Sequence, residues 1–196
     1  PISEYDQNGP FWAWNWLELG EHSGTHFDAP HHWLSGKDHP DGFTDTLSVQ
    51  RLIPSPPEPI FDLLVDPAGH SEIDGGGTVK GARSGGRRLV LGDRFGMDMK
   101  LGVAYSTRNT VIELEENRRI AWQTTASGPA GSLLGGRIWR YVLEPVEGGT
   151  LVTESWDLTQ ERVTSKFVVK ATMTDATKRN MERTLARIEE LVTSVG

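Results

Sequence analysis

The C-terminal end of the chain carries the pattern that most restricts its fold. Met181, Leu185, Ile188, Val192 and Val195 recur at steps of 4, 3, 4 and 3. That spacing is one face of a helix, and it predicts a long amphipathic helix from about Ser165 to about Thr193. Arg183, Arg187, Glu189 and Glu190 lie mostly off the stripe. Upstream the period changes to that of strands, so the stripe has a sheet to bury itself against.

The strands are separated by regular turn signals. Leu47 to Ile53 suits a strand, and Pro54-Ser-Pro56-Pro57 follows it. Ser55 with Glu58 has capping-box spacing, and Pro56 suits the first helical position, where no N–H is needed. Ile60, Phe61, Leu63 and Leu64 supply the apolar face of this short helix, and Asp66-Pro67 ends it. A short irregular or helical piece runs through His70 to Ile73. Then come strands at Thr78–Ala82, Leu89–Leu101 (bent at Gly92-Asp93 or Gly96), Ala104–Leu114 and Arg119–Thr125. Arg137–Pro145 and Thr150–Leu158 form a hairpin across Glu147-Gly-Gly149. The expectation is an α+β fold. A curved antiparallel sheet of about seven strands wraps around a long C-terminal helix, with an irregular N-terminal appendage. Where inward side chains cannot fill the space under the helix, a cavity remains.

Charge divides the chain in two. Residues 1–45 hold eight acidic side chains and one basic one, which accounts for the whole net charge of −7. Residues 46–196 hold 19 of each sign and are neutral. Five of the six histidines and four of the seven tryptophans also fall before residue 45. The expected domains are therefore 1–45 and 46–196. A neutral body with an acidic front is a poor nucleic-acid binder. Arg87-Arg88, Arg118-Arg119 and Lys178-Arg179 read as solvated faces offset by nearby acids. No run approaches the ~18–20 apolar residues of a membrane span. The opening Pro-Ile-Ser-Glu-Tyr-Asp lacks the features of a signal peptide. The absence of cysteine excludes disulfides, thiolate metal sites and cysteine nucleophiles, and fits a cytoplasmic protein.

Several stretches carry a family resemblance. They are Ile53 to Pro67, His70-Ser-Glu-Ile-Asp74, Gly92-Asp-Arg-Phe-Gly-Met-Asp-Met-Lys100, Trp139-Arg-Tyr-Val-Leu-Glu-Pro145 and Gly148 to Glu154. Through them, residues 46–196 resemble the SRPBCC superfamily, the helix-grip fold of START lipid-transfer domains and aromatic polyketide cyclases/dehydrases. The resemblance implies a cavity between sheet and C-terminal helix that takes a hydrophobic or aromatic small molecule and needs no cofactor. Such a domain would bind its ligand, or cyclise or dehydrate it. Candidate ligand-binding residues are Met97, Met99, Tyr105, Asn109, Trp122, Trp139 and Trp156. The alternative for each is ordinary packing, and a boundary error of one residue would reverse the inward set. Asn109 is the more informative, because a buried amide needs a partner. His70 is either a surface or helix-end histidine or an acid/base group of the pocket. Association into a homo-oligomer is left open.

The front segment carries a different signal. Glu21-His-Ser-Gly-Thr-His-Phe-Asp-Ala-Pro-His-His32 has the spacing H-x3-H-x-D-x3-H. In a strand, His22, His26 and Asp28 would share a face. Two imidazoles and a carboxylate suit zinc or manganese without any thiolate. Residues 1–47 resemble a fragment of the metal-dependent cyclase family that includes kynurenine formamidase. By that resemblance His22, His26 and Asp28 would be metal ligands. His32 would move the proton as a metal-bound water attacks an amide. The pattern stops near Arg51-Leu-Ile53, and no second histidine cluster follows it. An arylformamidase-like hydrolase is thus the alternative activity, incomplete within these residues.

Overall fold

The computed structural model describes residues 45–83, 86–126 and 135–194. The metal-ligand and proton-transfer candidates His22, His26, Asp28 and His32 lie outside them.

Seven strands form one sheet: β1 (Thr46–Ile53), β2 (Val79–Ala82), β3 (Arg94–Leu101), β4 (Val103–Glu115), β5 (Arg119–Ala126), β6 (Gly135–Val146) and β7 (Gly149–Asp157). Their order is β1-β7-β6-β5-β4-β3-β2, and every neighbouring pair is antiparallel. Strands that follow one another in the chain from β2 to β7 are neighbours in the sheet. Only the step from β1 to β2 crosses from one sheet edge to the other. It does so through helix α1 (Pro57–Val65), a 3-10 turn (Pro67–Gly69) and the single-turn α2 (His70–Ile73). Helix α3 (Val163–Thr193) then packs on β1, β7, α1 and α2. This is the helix-grip arrangement expected from the sequence.

The period-2 and period-3.6 patterns meet in the core. Ile53, Ile60, Phe61, Leu64, Ile120, Leu143 and Val152 are fully buried with Met181, Leu185 and Ile188 of α3. Each such side chain contributes roughly 1.5–3 kcal/mol by leaving water. The helical stripe is longer than its aliphatic part. Val169 and Met173 pack against the core, and Thr177 is buried. Val195 lies outside the described residues. Asp45 pairs with Lys166 and Lys170, and Arg51 with Glu189, so both ends of α3 are tied to the β1 side.

Three local expectations are corrected. Helix α1 starts at Pro57 with Pro56 as its N-cap. No side chain caps it, because the Ser55 hydroxyl donates to the Pro56 carbonyl instead. The strand expected over Leu89–Leu101 begins at Arg94. Gly92 takes φ +85, and the Asp93 N–H donates to the Val90 carbonyl, so residues 90–93 turn rather than extend. The basic pairs do sit on solvated surface, where Arg87 meets Asp93, Arg88 meets Asp62 and Glu116, and Lys178 meets Glu182.

One close approach fixes the helix against the loop before β2. The Gly75 N–H donates to Thr184 Oγ1 at 3.0 Å. A β-carbon at Gly75 would lie 2.2 Å from the Asn180 carbonyl oxygen. Only glycine admits this contact.

Candidate functional site

Register decides which side chains share the face under α3. Trp156 on β7 pairs with Leu47 on β1 and with Trp139 on β6. Trp139 pairs with Trp122 on β5, and Trp122 with Val111 on β4. Asn109 pairs with Phe95, Thr107 with Met97, and Tyr105 with Met99. Since strand side chains alternate, these residues and their i±2 neighbours form one inner face. Met97, Met99, Tyr105, Asn109, Trp122, Trp139 and Trp156 all lie on it. Phe95, Met97, Trp122 and Trp156 belong to the buried core, with Met99 and Trp139 packed against its margin.

Exposure on this face is graded. At β3–β4, Phe95 and Asn109 are buried, whereas Tyr105 is 42% and Val103 75% exposed. The register places the β3–β4 turn at the same sheet end as Asp157, beyond which α3 begins. Val168, near the start of α3, is 63% exposed. The face is therefore closed at its centre and apolar but accessible at the end where the helix starts.

Polar groups sit within the closed part. Tyr141 and Glu154 pair directly across β6 and β7. The Tyr141 hydroxyl donates to Glu154 Oε1 at 2.8 Å. Glu154 is 2% exposed, and its Oε2 has no partner among the described residues. Burial pushes its carboxyl up to about 8; the bond from Tyr141 opposes this, and the charge of Asp74 adds to it. The shift favours the protonated, uncharged acid. Desolvation and the neighbouring Glu154 also push the Tyr141 phenol well above its usual value. Trp156 is 2% exposed, and its Nε1 likewise has no partner among the described residues.

His70 lies in this interior, not at a surface helix end. Its ring stacks on Trp122 at 5.2 Å and meets Phe95 edge-on at 5.8 Å. Trp122 in turn lies 5.6 Å from Tyr141. Nε2 is 2.9 Å from the Leu64 carbonyl oxygen. A carbonyl only accepts, so Nε2 carries the proton and Nδ1 is the acceptor. Burial lowers the imidazole from its ordinary 6.5, against the Leu64 bond and the charge of Asp66, and keeps it neutral.

Asn109 finds a protein partner for each of its amide heavy atoms. Thr124 Oγ1 donates to its Oδ1 at 2.7 Å, and its Nδ2 is 3.5 Å from the Phe95 carbonyl oxygen. It ties β3 to β5 across β4. Tyr141 and Glu154 were not among the sequence candidates, although a signal existed. Glu154 falls between Val152 and Trp156 on the apolar parity of β7, and an acid at such a position is either paired or functional.

A separate cleft of about 550 Å³ lies between the start of α1 and the end of α3, lined by Pro54, Pro56, Pro59, Leu63, Leu191 and Val192 among others. No ionisable side chain is among the residues that line it. Among the described residues no cluster of three or more His, Asp or Glu side chains could hold a metal ion. No described helix is long and apolar enough to cross a membrane.

Comparison with known proteins agrees with this geometry. The family described as polyketide cyclase/dehydrase and lipid transport matches residues 44–193. A 143-residue stretch is 32% identical to a Mycobacterium tuberculosis (strain H37Rv) protein described as uncharacterized, covering 70% of this chain and 60% of that one. A 52-residue stretch, 26% of the chain, is 81% identical to isatin hydrolase of Roseibium aggregatum and covers 20% of it. The chain thus spans less than two thirds of either relative. Among solved structures, a Mycobacterium smegmatis protein aligns with TM-score 0.60 and 15% identity, covering 78% of this chain and 94% of its own. A Chromobacterium violaceum protein aligns with TM-score 0.58 and 16% identity, covering 76% and 96%. At such identity the likeness shows the fold.

Proposed function

The chain belongs to the polyketide cyclase/dehydrase and lipid-transport family, and from that premise we propose that residues 46–196 bind a hydrophobic or aromatic small molecule on the inner face of the sheet. The observation that carries this reading is the face itself. It is aromatic, closed at the centre, open at the end where α3 starts, and holds buried polar atoms that the described protein does not satisfy. Apolar walls with a few convergent polar groups are the usual make-up of a small-molecule site. Titration with anilinonaphthalene sulfonate should give saturable binding that aromatic polyketide mimics displace. Absence of displaceable binding would overturn the reading.

Cyclisation or dehydration of the ligand is the finer form of the proposal. It draws on a neutral carboxylic acid at Glu154 that can donate a proton and on an uncharged imidazole at His70 that can accept one. Fold alone does not choose between carrier and enzyme.

The likeness to isatin hydrolase favours a second reading for the front segment. We propose that it retains a hydrolase-type metal motif, with His22, His26 and Asp28 as ligands for zinc or manganese and His32 beside them. Purified protein should then carry stoichiometric metal that His26→Ala removes. Metal-free protein, with no hydrolysis of N-formylkynurenine, would sink this reading.

A further inference from the structure

We propose that Glu154 and Trp156 form a paired hydrogen-bond donor that seats a carbonyl oxygen of an uncharged ligand in the closed part of the inner face. The inference rests on the small-molecule reading above and names the chemistry that this site selects.

The two residues are separated by one position on β7, so their side chains leave the same face about 6.6 Å apart. Both are buried, and each has one polar atom without a partner among the described residues. Both of those atoms are donors. The Tyr141 hydroxyl donates to Glu154 Oε1, which therefore acts as the carbonyl oxygen of the acid and leaves the proton on Oε2. Desolvation keeps that proton in place at pH 7. The indole Nε1–H of Trp156 can only donate.

An unmet buried donor costs about 1–3 kcal/mol, so a fold that keeps two of them gains from an acceptor that answers both. A cation offers no acceptor. An anion would bring unpaired charge into a dry interior already facing the negative charge of Asp74. A carbonyl oxygen, uncharged and with two lone pairs, meets the requirement. The surrounding rings of Trp122, Tyr141 and Trp139 favour a planar apolar carrier for it.

Fluorenone and fluorene test this directly, because they differ only in C=O against CH2. Each is titrated against the full chain loaded with anilinonaphthalene sulfonate. Fluorenone should bind about tenfold more tightly, as expected for two neutral hydrogen bonds. Glu154→Met and Trp156→Phe should each reduce the preference to about threefold or less. Glu154→Gln, whose amide keeps an N–H near Oε2, should restore most of what Glu154→Met loses. Equal affinity in the wild type overturns the donor pair and leaves the hydrophobic reading standing. Failure of both compounds to displace the probe overturns both. A preference that survives both Glu154→Met and Trp156→Phe overturns the assignment to these residues. If Glu154→Met does not fold, Trp156→Phe and the infrared carbonyl stretch of bound fluorenone decide. A stretch lowered relative to its position in hexane supports the proposal, and an unshifted one refutes it.

Discussion

Glu154 and His70 give the interior opposite responses to pH. Burial raises Glu154 from its ordinary 4.5 to about 8, so the folded chain keeps a proton that the unfolded chain loses. The folded state binds more protons across that window, and stability falls as pH rises through it. By the same linkage the cost at pH 7 is roughly 3 kcal/mol. His70 works the other way. Its folded value lies below 6.5, so the unfolded chain takes up the proton first and stability falls as pH drops below about 6.5. Urea midpoints should therefore stay nearly level from pH 5 to about 6.5, where the two responses oppose each other, fall from about 6.5 to 8, and level off above. Glu154→Gln should remove the decline above about pH 6.5 and expose a loss of stability below it, whereas His70→Phe should extend the decline down towards about pH 5. A Glu154→Gln profile that still declines above pH 7 like the wild type would show that the carboxyl is not the cause.

At the scale of elements, the long helix is held by packing more than by charge. Met181, Leu185 and Ile188 are fully buried. The ion pair of Arg51 with Glu189 is partly exposed, and such pairs contribute about 0–1 kcal/mol. The contact at Gly75 is stricter, because a methyl group there would meet backbone of α3, which cannot rotate away. Gly75→Ala should lower stability by about 2 kcal/mol, read as a drop in Tm with the far-UV spectrum retained. An unchanged Tm would mean that the loop can lift off the helix at little cost. The helix itself was legible from its 4-3-4-3 spacing. Its partner loop was not, since nothing local in Asp74-Gly-Gly-Gly77 says that a helix more than a hundred residues later will press on one of those glycines. The missing cap on α1 has the same character. Ser55 and Glu58 have the right spacing, but Pro56 and Pro57 shift the helix start by one residue, and the hydroxyl turns to a carbonyl.

For the whole molecule, the described strands and helices all lie between Thr46 and Thr193, and the family match spans 44–193. A chain truncated to residues 45–196 should unfold cooperatively and bind anilinonaphthalene sulfonate within about twofold of the full chain, since it keeps the described sheet, its core and nearly all of the family match. Loss of cooperative unfolding would show that the front segment completes the fold. The sequence by itself determined the fold class, the number and order of strands and the candidates that line the inner face. Period 2, period 3.6 and turn residues are local properties, and parity fixes which side chains in a strand go together. Only the tertiary structure decided what those candidates do. Asn109 is satisfied by Thr124 and by the Phe95 backbone, His70 is drawn into the core against Trp122, and Tyr141 meets Glu154. Each of these outcomes depends on register between strands and on helices brought across the sheet. Burial then fixes the protonation of Glu154, because it removes the water that would otherwise stabilise its charge.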